Sequence, residues 1–271
     1  MTQNVPAERL RLIEKIVAAA RRAAKPRRLA PLAEQFLRAY YHGVAEEDLA
    51  ARDPHYLALV ALDHLGGGRL RRTDRPIVRV FSPDAEREGF SSPHTLVEVI
   101  ARDMPFLVDS LSIVFNRAGI GIHLIVHPVL AVERGKQGTI SSARLADQRP
   151  PDDSAAAGSP RAAADRTGAA SRRSLRAESW QLYEIDRQLD PQTMRAIERR
   201  LLATLEDVRL AVTDWSRMLD QARTVASAIE APDARALLEW MTDNHFTFLG
   251  YRHYRLRRGG RRDTLVPQTD S

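Results

Sequence analysis

The sequence predicts an α+β fold: a helical N-terminal region, then an antiparallel sheet with helices on one face, and a long C-terminal helix. Three observations carry this. Apolar residues recur every three or four positions as far as Gly68, the spacing of a helix face. After Pro76 the chain turns to short β-branched runs, the composition of strands. From Met194 to Ala222 a single apolar seam returns to alternating threes and fours, roughly 45 Å of helix at about 1.5 Å per residue.

Leu10, Ile13, Val17 and Ala20 mark the first helix, and Leu29, Leu32, Phe36, Leu37 and Tyr40 a second that ends before Gly43. Asp53 and Pro54 are N-cap and first-turn residues for a third, which carries Leu57, Val60 and Leu62 and is stopped by Gly66, Gly67 and Gly68. Strands follow at Ile77 to Ser82 and Thr95 to Ala101. Pro105 starts a helix with Leu107, Leu111, Val114 and Phe115 on one face, closed by Gly119 in a left-handed cap. Ile122 to Val132 reads as one long buried strand. From about 135 to 175 large apolar residues nearly vanish, so this stretch is expected to be a disordered insertion. Ser179 to Ile185 is a strand with Trp180, Leu182 and Glu184 on one side, and Asp190-Pro191 starts the long helix. Ala231 and Pro232 interrupt it. A short helix, Asp233 to Met241, leads to Phe246, Phe248, Tyr251 and Tyr254, which read as a strand. The expected organisation is therefore a helical region over 1–75, a sheet domain over 76–230 containing the insertion, and the start of a further module over 231–271.

Composition narrows the function classes. The 271 residues are 44% hydrophobic, enough for one or two cored domains. There is no cysteine, so neither disulfides nor thiolate metal sites arise. No signal-type N-terminus and no apolar run of roughly 20 residues is present, which makes a cytoplasmic protein without membrane contact the expectation. A net charge of +6 raises nucleic-acid binding as an alternative. Only Lys15, Lys25 and Lys136 are lysines, however, and the basic clusters Arg21 to Arg28, Arg69 to Arg75 and Arg255 to Arg262 have no aromatic residues interleaved for base stacking. They read as solvated surface.

Strand, helix, strand, strand, helix from Thr95 to about Val208 is the element order of the split βαβ or ferredoxin-like plait. Within it, Asp103-Met104-Pro105-Phe106-Leu107-Val108-Asp109-Ser110, with Ile120 and Ile122 beyond, resembles the ACT domain signature, an Asp-x-Pro-Gly-Leu turn between first strand and first helix. Asp103 can accept from free first-turn N–H groups and Pro105 has no donor to leave unpaired, so the segment is either a well-capped helix start alone or also one wall of a pocket. The resemblance implies the second, an amino-acid effector site formed by Asp103, Met104, Pro105, Phe106, Asp109 and Ser110. Phe106 stands where such domains usually carry glycine, and its ring is expected to occupy close-approach space.

The octapeptide 103–110 also resembles the large bacterial NAD-dependent glutamate dehydrogenases. So do Phe36 to Tyr41 with Val44 to Leu49, Val78 to Pro83, Ile122 to Pro128, Asp207 to Arg209 and Phe246 to Tyr251. Arg102 and Gly135 depart from the family pattern. The resemblance implies a non-catalytic regulatory and assembly region, forming homo-oligomers and working with a downstream catalytic region of the same polypeptide, in an enzyme that oxidises L-glutamate with NAD. A free-standing ACT-like amino-acid-binding regulator is the alternative.

No catalytic, cofactor or metal residue is assigned within this chain. Gly119-Ile120-Gly121 lacks the third glycine of a dinucleotide fingerprint. None of the three lysines sits where a cleft is expected. His123 and His127 are four apart on a predicted strand, about 13 Å, too far for one ion. The seam from Met194 to Ala222 calls for a partner surface.

Overall fold

The computed structural model describes residues 7–24, 29–146, 175–259 and 262–268. These form two compact units, Met1–Thr204 and Leu205–Ser271.

In the first unit, α1 (Ala7–Ala23), α2 (Pro31–Tyr40), α3 (Glu46–Ala50) and α4 (Pro54–Gly68) precede the sheet. The predicted stripes are the buried faces: Ile13, Ile16 and Val17 of α1, Phe36, Leu37 and Tyr40 of α2, Leu57, Val60 and Ala61 of α4. Asp53 caps α4, its carboxylate accepting from His55 N at 3.1 Å. The glycine run does not stop α4, which continues through Gly68. Its role is close approach: a Cβ on Gly68 would lie 2.2 Å from Trp180 and 2.4 Å from Ile100.

The sheet is antiparallel, in the order β1 (Ile77–Phe81), β2 (Thr95–Arg102), β6 (Leu175–Ile185), β4 (Val129–Arg134), β5 (Ile140–Leu145), with β3 (Ile122–Val126) also paired to β6. With α5 (Leu107–Arg117) between β2 and β3, this is the expected plait, and β1 takes the edge place beside β2 that the closing strand of a split βαβ pair would hold. The predicted strand Ile122 to Val132 arrives as two, because Pro128 cannot donate to a ladder. Both halves still run along β6, and Trp180 N donates to Pro128 O at 3.1 Å across the break.

Two expectations need correction. Residues 140–145 form a strand rather than part of a disordered insertion, since Ile140 and Ala143 are buried in the core and Gly138, at φ 81°, makes the turn from β4. Residues 147–174 lie outside the described residues, as does Lys25. Helices also cover both faces of the sheet. Phe115 of α5 packs on Tyr183 at 5.2 Å on one face. Leu96, Ile100, Trp180 and Leu182 share the opposite face with the cores of α1, α2 and α4. That second face carries three buried carboxylates in phase with its apolar residues, each answered by arginine: Glu98 by Arg79, Glu178 by Arg71 and Arg134, Glu184 by Arg52. They tie the helical layer to the sheet.

The long helix α6 (Pro191–Ala228) starts as expected, with Asp190 accepting from Gln192 N at 3.0 Å and Thr193 N at 2.9 Å. Ile197, Leu201, Leu205, Val208, Leu219 and Ala222 of its seam are buried, whereas Trp215 is partly exposed. In the second unit α7 (Pro232–Trp240) runs into a single π-helical turn, Met241–His245, and then a two-stranded hairpin of β7 (Tyr254–Arg257) and β8 (Thr264–Pro267). Of the strand predicted from Phe246 onward only Tyr254 lies in one, because residues 246–253 have no neighbouring strand to pair with among the described residues.

Candidate functional site

At the end of β2 the chain delivers Asp103 to the sheet edge, where its N–H donates to Ala177 O of β6 at 3.0 Å. Three residues later it makes a sharp reversal. Phe106 has φ 70° and ψ 4°, in the left-handed region that strongly favours glycine and is strained for a bulky side chain. Glycine adopts this conformation without steric cost, and here phenylalanine holds it. The ring does not fill a close-approach space as expected but stands 48% exposed.

The left-handed residue also sets where the helix begins. The expectation that Pro105 opens it and Asp103 caps it is corrected: α5 starts at Leu107, the N-cap position is Phe106, and no side chain caps it. Ser110 N reaches back to Phe106 O at 3.0 Å. The Asp103 carboxyl instead meets the Met104 N–H, and partial burial, outweighing that bond, raises it above the ordinary aspartate range. Pro105 and Asp109 are exposed, and Met104 and Ser110 half-buried.

Beside this turn lies a cleft of about 450 Å³ lined by Arg71, Asp74, Arg102, Asp103, Leu175, Arg176, Ala177 and Glu178. Asp103 is the one predicted site residue that lines it. The others sit on the turn and the first helical turn behind. Sequence reasoning missed the remaining walls because Arg71 belongs to a basic run read as solvated surface, yet its side chain is 4% exposed and bound to Glu178 at 3.1 Å. Glu178 held the usable signal, a carboxylate in phase with Trp180 and Leu182 on a buried strand.

The floor of the cleft is fixed. Glu178 accepts from Arg134 Nε and Nη2 at 2.8 and 2.9 Å, from Arg71, and from Trp180 Nε1 at 3.2 Å. Burial pushes its carboxyl up, but the hydrogen bonds and charge of Arg134 and Arg71 more than offset this and hold it below the ordinary range. Arg71 also donates to Asp74 O and Arg75 O, and Arg176 pairs with Asp74 at the rim at 2.5 Å. Arg102 makes no ion pair among the described residues. Arg102 and the half-buried Asp103 are thus the charged lining groups that make no ion pair among the described residues.

At the opposite end of β6, His123 Nε2 meets Asp186 Oδ1 at 2.8 Å and the His123 ring stacks on His94 at 4.2 Å. Stacked imidazoles direct their lone pairs sideways rather than at a common point, and no group of metal-ligating residues is formed among the described residues. The Gly119 to Gly121 segment also fails to fit a dinucleotide. Gly119 is the left-handed residue after α5, and Gly121 N donates to the Asp186 carboxylate at 2.6 Å. The segment leads from the end of α5 into β3 rather than into a helix, so it presents no helix N-terminus to a pyrophosphate.

A family model described as glutamate dehydrogenase, ACT1 domain, matches residues 36–201. The chain belongs to that glutamate dehydrogenase family. The NAD-specific glutamate dehydrogenase of Pseudomonas aeruginosa is 35% identical over 191 residues, 67% of this chain and 10% of its own length. That of Halomonas elongata is 33% identical over 247 residues, 86% of this chain and 14% of its own. The Mycobacterium tuberculosis enzyme of the same name is 26% identical over 207 residues, 72% of this chain and 11% of its own. The chain therefore spans only 10–14% of these three glutamate dehydrogenases, and the family-model match takes in the second half of α2, α3, α4, the sheet and the cleft. No helix of the described residues is long and apolar enough to cross a membrane.

Proposed function

We propose that this chain is a non-catalytic regulatory and assembly region of an NAD-dependent glutamate dehydrogenase, whose parent reaction converts L-glutamate, NAD and water to 2-oxoglutarate, ammonia and NADH. The observation that carries it is the pairing of an ACT1 match with a cleft at the Asp103 turn. Among the described residues nothing supports chemistry on this chain alone: the oxidation wants a lysine of lowered pKa in a cleft, and Lys15 and Lys136 stand elsewhere, on α1 and on the β4–β5 turn. The cleft offers Arg102 for a carboxylate and Asp103 for an ammonium group, which favours an amino acid as effector. Thermal melts test this. An effector at about 100 times its dissociation constant stabilises the fold by roughly 2.7 kcal/mol, and Arg102→Ala or Asp103→Asn should abolish that shift while leaving the melt without ligand in place. No shift with any common amino acid would sink the effector site. Glutamate-dependent NAD reduction by the isolated chain would sink the non-catalytic reading.

A further inference from the structure

The hairpin of the second unit is amphipathic with a two-residue period, Val266 excepted. Its register pairs Tyr254 with Pro267 and Leu256 with Leu265, and Arg255 with Val266 and Arg257 with Thr264. Residues opposite each other share a face, so one face is Tyr254, Leu256, Leu265 and Pro267, and the other carries Arg255 and Arg257 with Thr264 and the half-buried Val266. This is the pattern of a strand pair with one face on a core and one in water. Yet on the apolar face Tyr254 is 44% exposed, Leu256 50% and Leu265 64%. Two strands without a third or a packed layer are marginal in water.

We propose that the apolar face of β7–β8 docks against a segment of the longer polypeptide lying outside residues 1–271, a proposal that rests on the chain being one region of a large dehydrogenase. By its own area this face falls short of what a second copy needs. Four side chains offer a few hundred Å² at most, well below the roughly 800 Å² per partner of a standard interface between separate molecules. A covalently linked partner acts at millimolar effective concentration and needs no such area. The relatives supply the length for one, since this chain accounts for only 10% and 14% of the first two. Arg255 and Arg257 face away from the docked surface and stay in solvent.

Hydrogen exchange on the polypeptide of the whole native reading frame, compared with residues 1–271 alone, tests this. Hairpin amides over 254–257 and 264–266 should exchange about 100-fold more slowly in the whole polypeptide. Leu256→Asp should restore fast exchange there with β2 and β6 still protected, and Arg257→Glu on the opposite face should leave the hairpin protected. If Leu256→Asp prevents folding, Leu265→Ser provides the same comparison. Equal exchange in the two forms overturns the proposal, as does protection of residues 1–271 that grows with protein concentration, which would assign the face to a second copy. An unprotected hairpin in a polypeptide that still reduces NAD with glutamate sinks this docking alone; a reading frame no longer than this chain sinks both it and the proposed function.

Discussion

Trp180 occupies the space above Gly68 so fully that a Cβ on the glycine would stand 2.2 Å from the indole Cη2. Trp180 is wholly buried, its ring 5.0 Å from Phe36 and 5.1 Å from His64, so it has nowhere to move. Gly68→Ala should therefore destabilise the first unit by about 1–3 kcal/mol through overpacking. Two residues earlier in α4, nothing lies within 4 Å of a Cβ on Gly66. Gly66→Ala should stabilise by up to about 1 kcal/mol through helix propensity. Urea melts of the two variants check the contrast, and equal effects would show that the close approach does not govern α4.

A second prediction concerns pH. Glu98 lies beneath the last turn of α4, beside Asp63 and a single arginine, Arg79; its Oε1 is buried without a hydrogen bond. Burial first, then Asp63 against the opposing pull of Arg79, raises its carboxyl to about 8. His64, on the same helix and bonded to Tyr40 at 2.8 Å, is pushed down to about 3 by burial and then by Arg79. The signs oppose. Glu98 holds a proton in the fold that the unfolded chain releases near 4.5, so its contribution falls as pH rises from there to about 8. His64 refuses a proton that the unfolded chain binds below 6.5, so its contribution rises with pH between about 3 and 6.5. The two slopes largely cancel between 4.5 and 6.5, and stability should then decline toward 8 by at most about 1.4 kcal/mol per pH unit. Glu98→Gln should remove the decline and uncover the rise below 6.5. Denaturation midpoints across this range decide it, and an unaltered profile in the variant would remove Glu98 as the cause.

The helical stripes, the strands of the plait and the caps at Asp53 and Asp190 were legible because each is set by neighbours in sequence, through spacing or a turn-residue pair. The cleft was not. Its walls come from Arg71, Asp103 and Glu178, brought together only by the pairing of β2 with β6 and by the return of the chain after α4. Arg71 looked like solvated charge because nothing within a few residues of it shows the carboxylate it meets 107 positions later. Pro105 misplaced the start of α5 because proline commonly opens a helix, whereas the left-handed turn at Phe106 depends on the fold beyond it.

Phe106 should rank its own substitutions in an unusual order. At φ 70° glycine relieves strain of roughly 1–2 kcal/mol, but frees the unfolded chain by about 0.4–1 kcal/mol. Phe106→Gly should then range from unchanged to about 1.6 kcal/mol more stable than the parent, and Phe106→Asn should lie close to it. Phe106→Val, branched at Cβ in a region such residues avoid, should be the least stable of the three. A melt series in which valine matches glycine would show that the left-handed turn is not kept in solution.

The strongest single dependence expected is that of Glu178 on Arg134. Glu178 is 1% and Arg134 7% exposed, and the guanidinium meets both carboxylate oxygens while donating to Gly68 O and Gly138 O. It thereby joins β4, β6, the end of α4 and the β4–β5 turn. Arg134→Met keeps most of the volume but leaves Glu178 to Arg71 and Trp180, with two carbonyls short of a donor. Removing one partner of a buried pair costs about 3–5 kcal/mol, so the variant should unfold at clearly lower denaturant. The double change Arg134→Met with Glu178→Gln should cost less than the sum of the two single changes, since each alone already breaks the same ion pair, even though it leaves Arg71 without its carboxylate. Full additivity of the two substitutions would mean that the ion pair does not hold the cleft floor together.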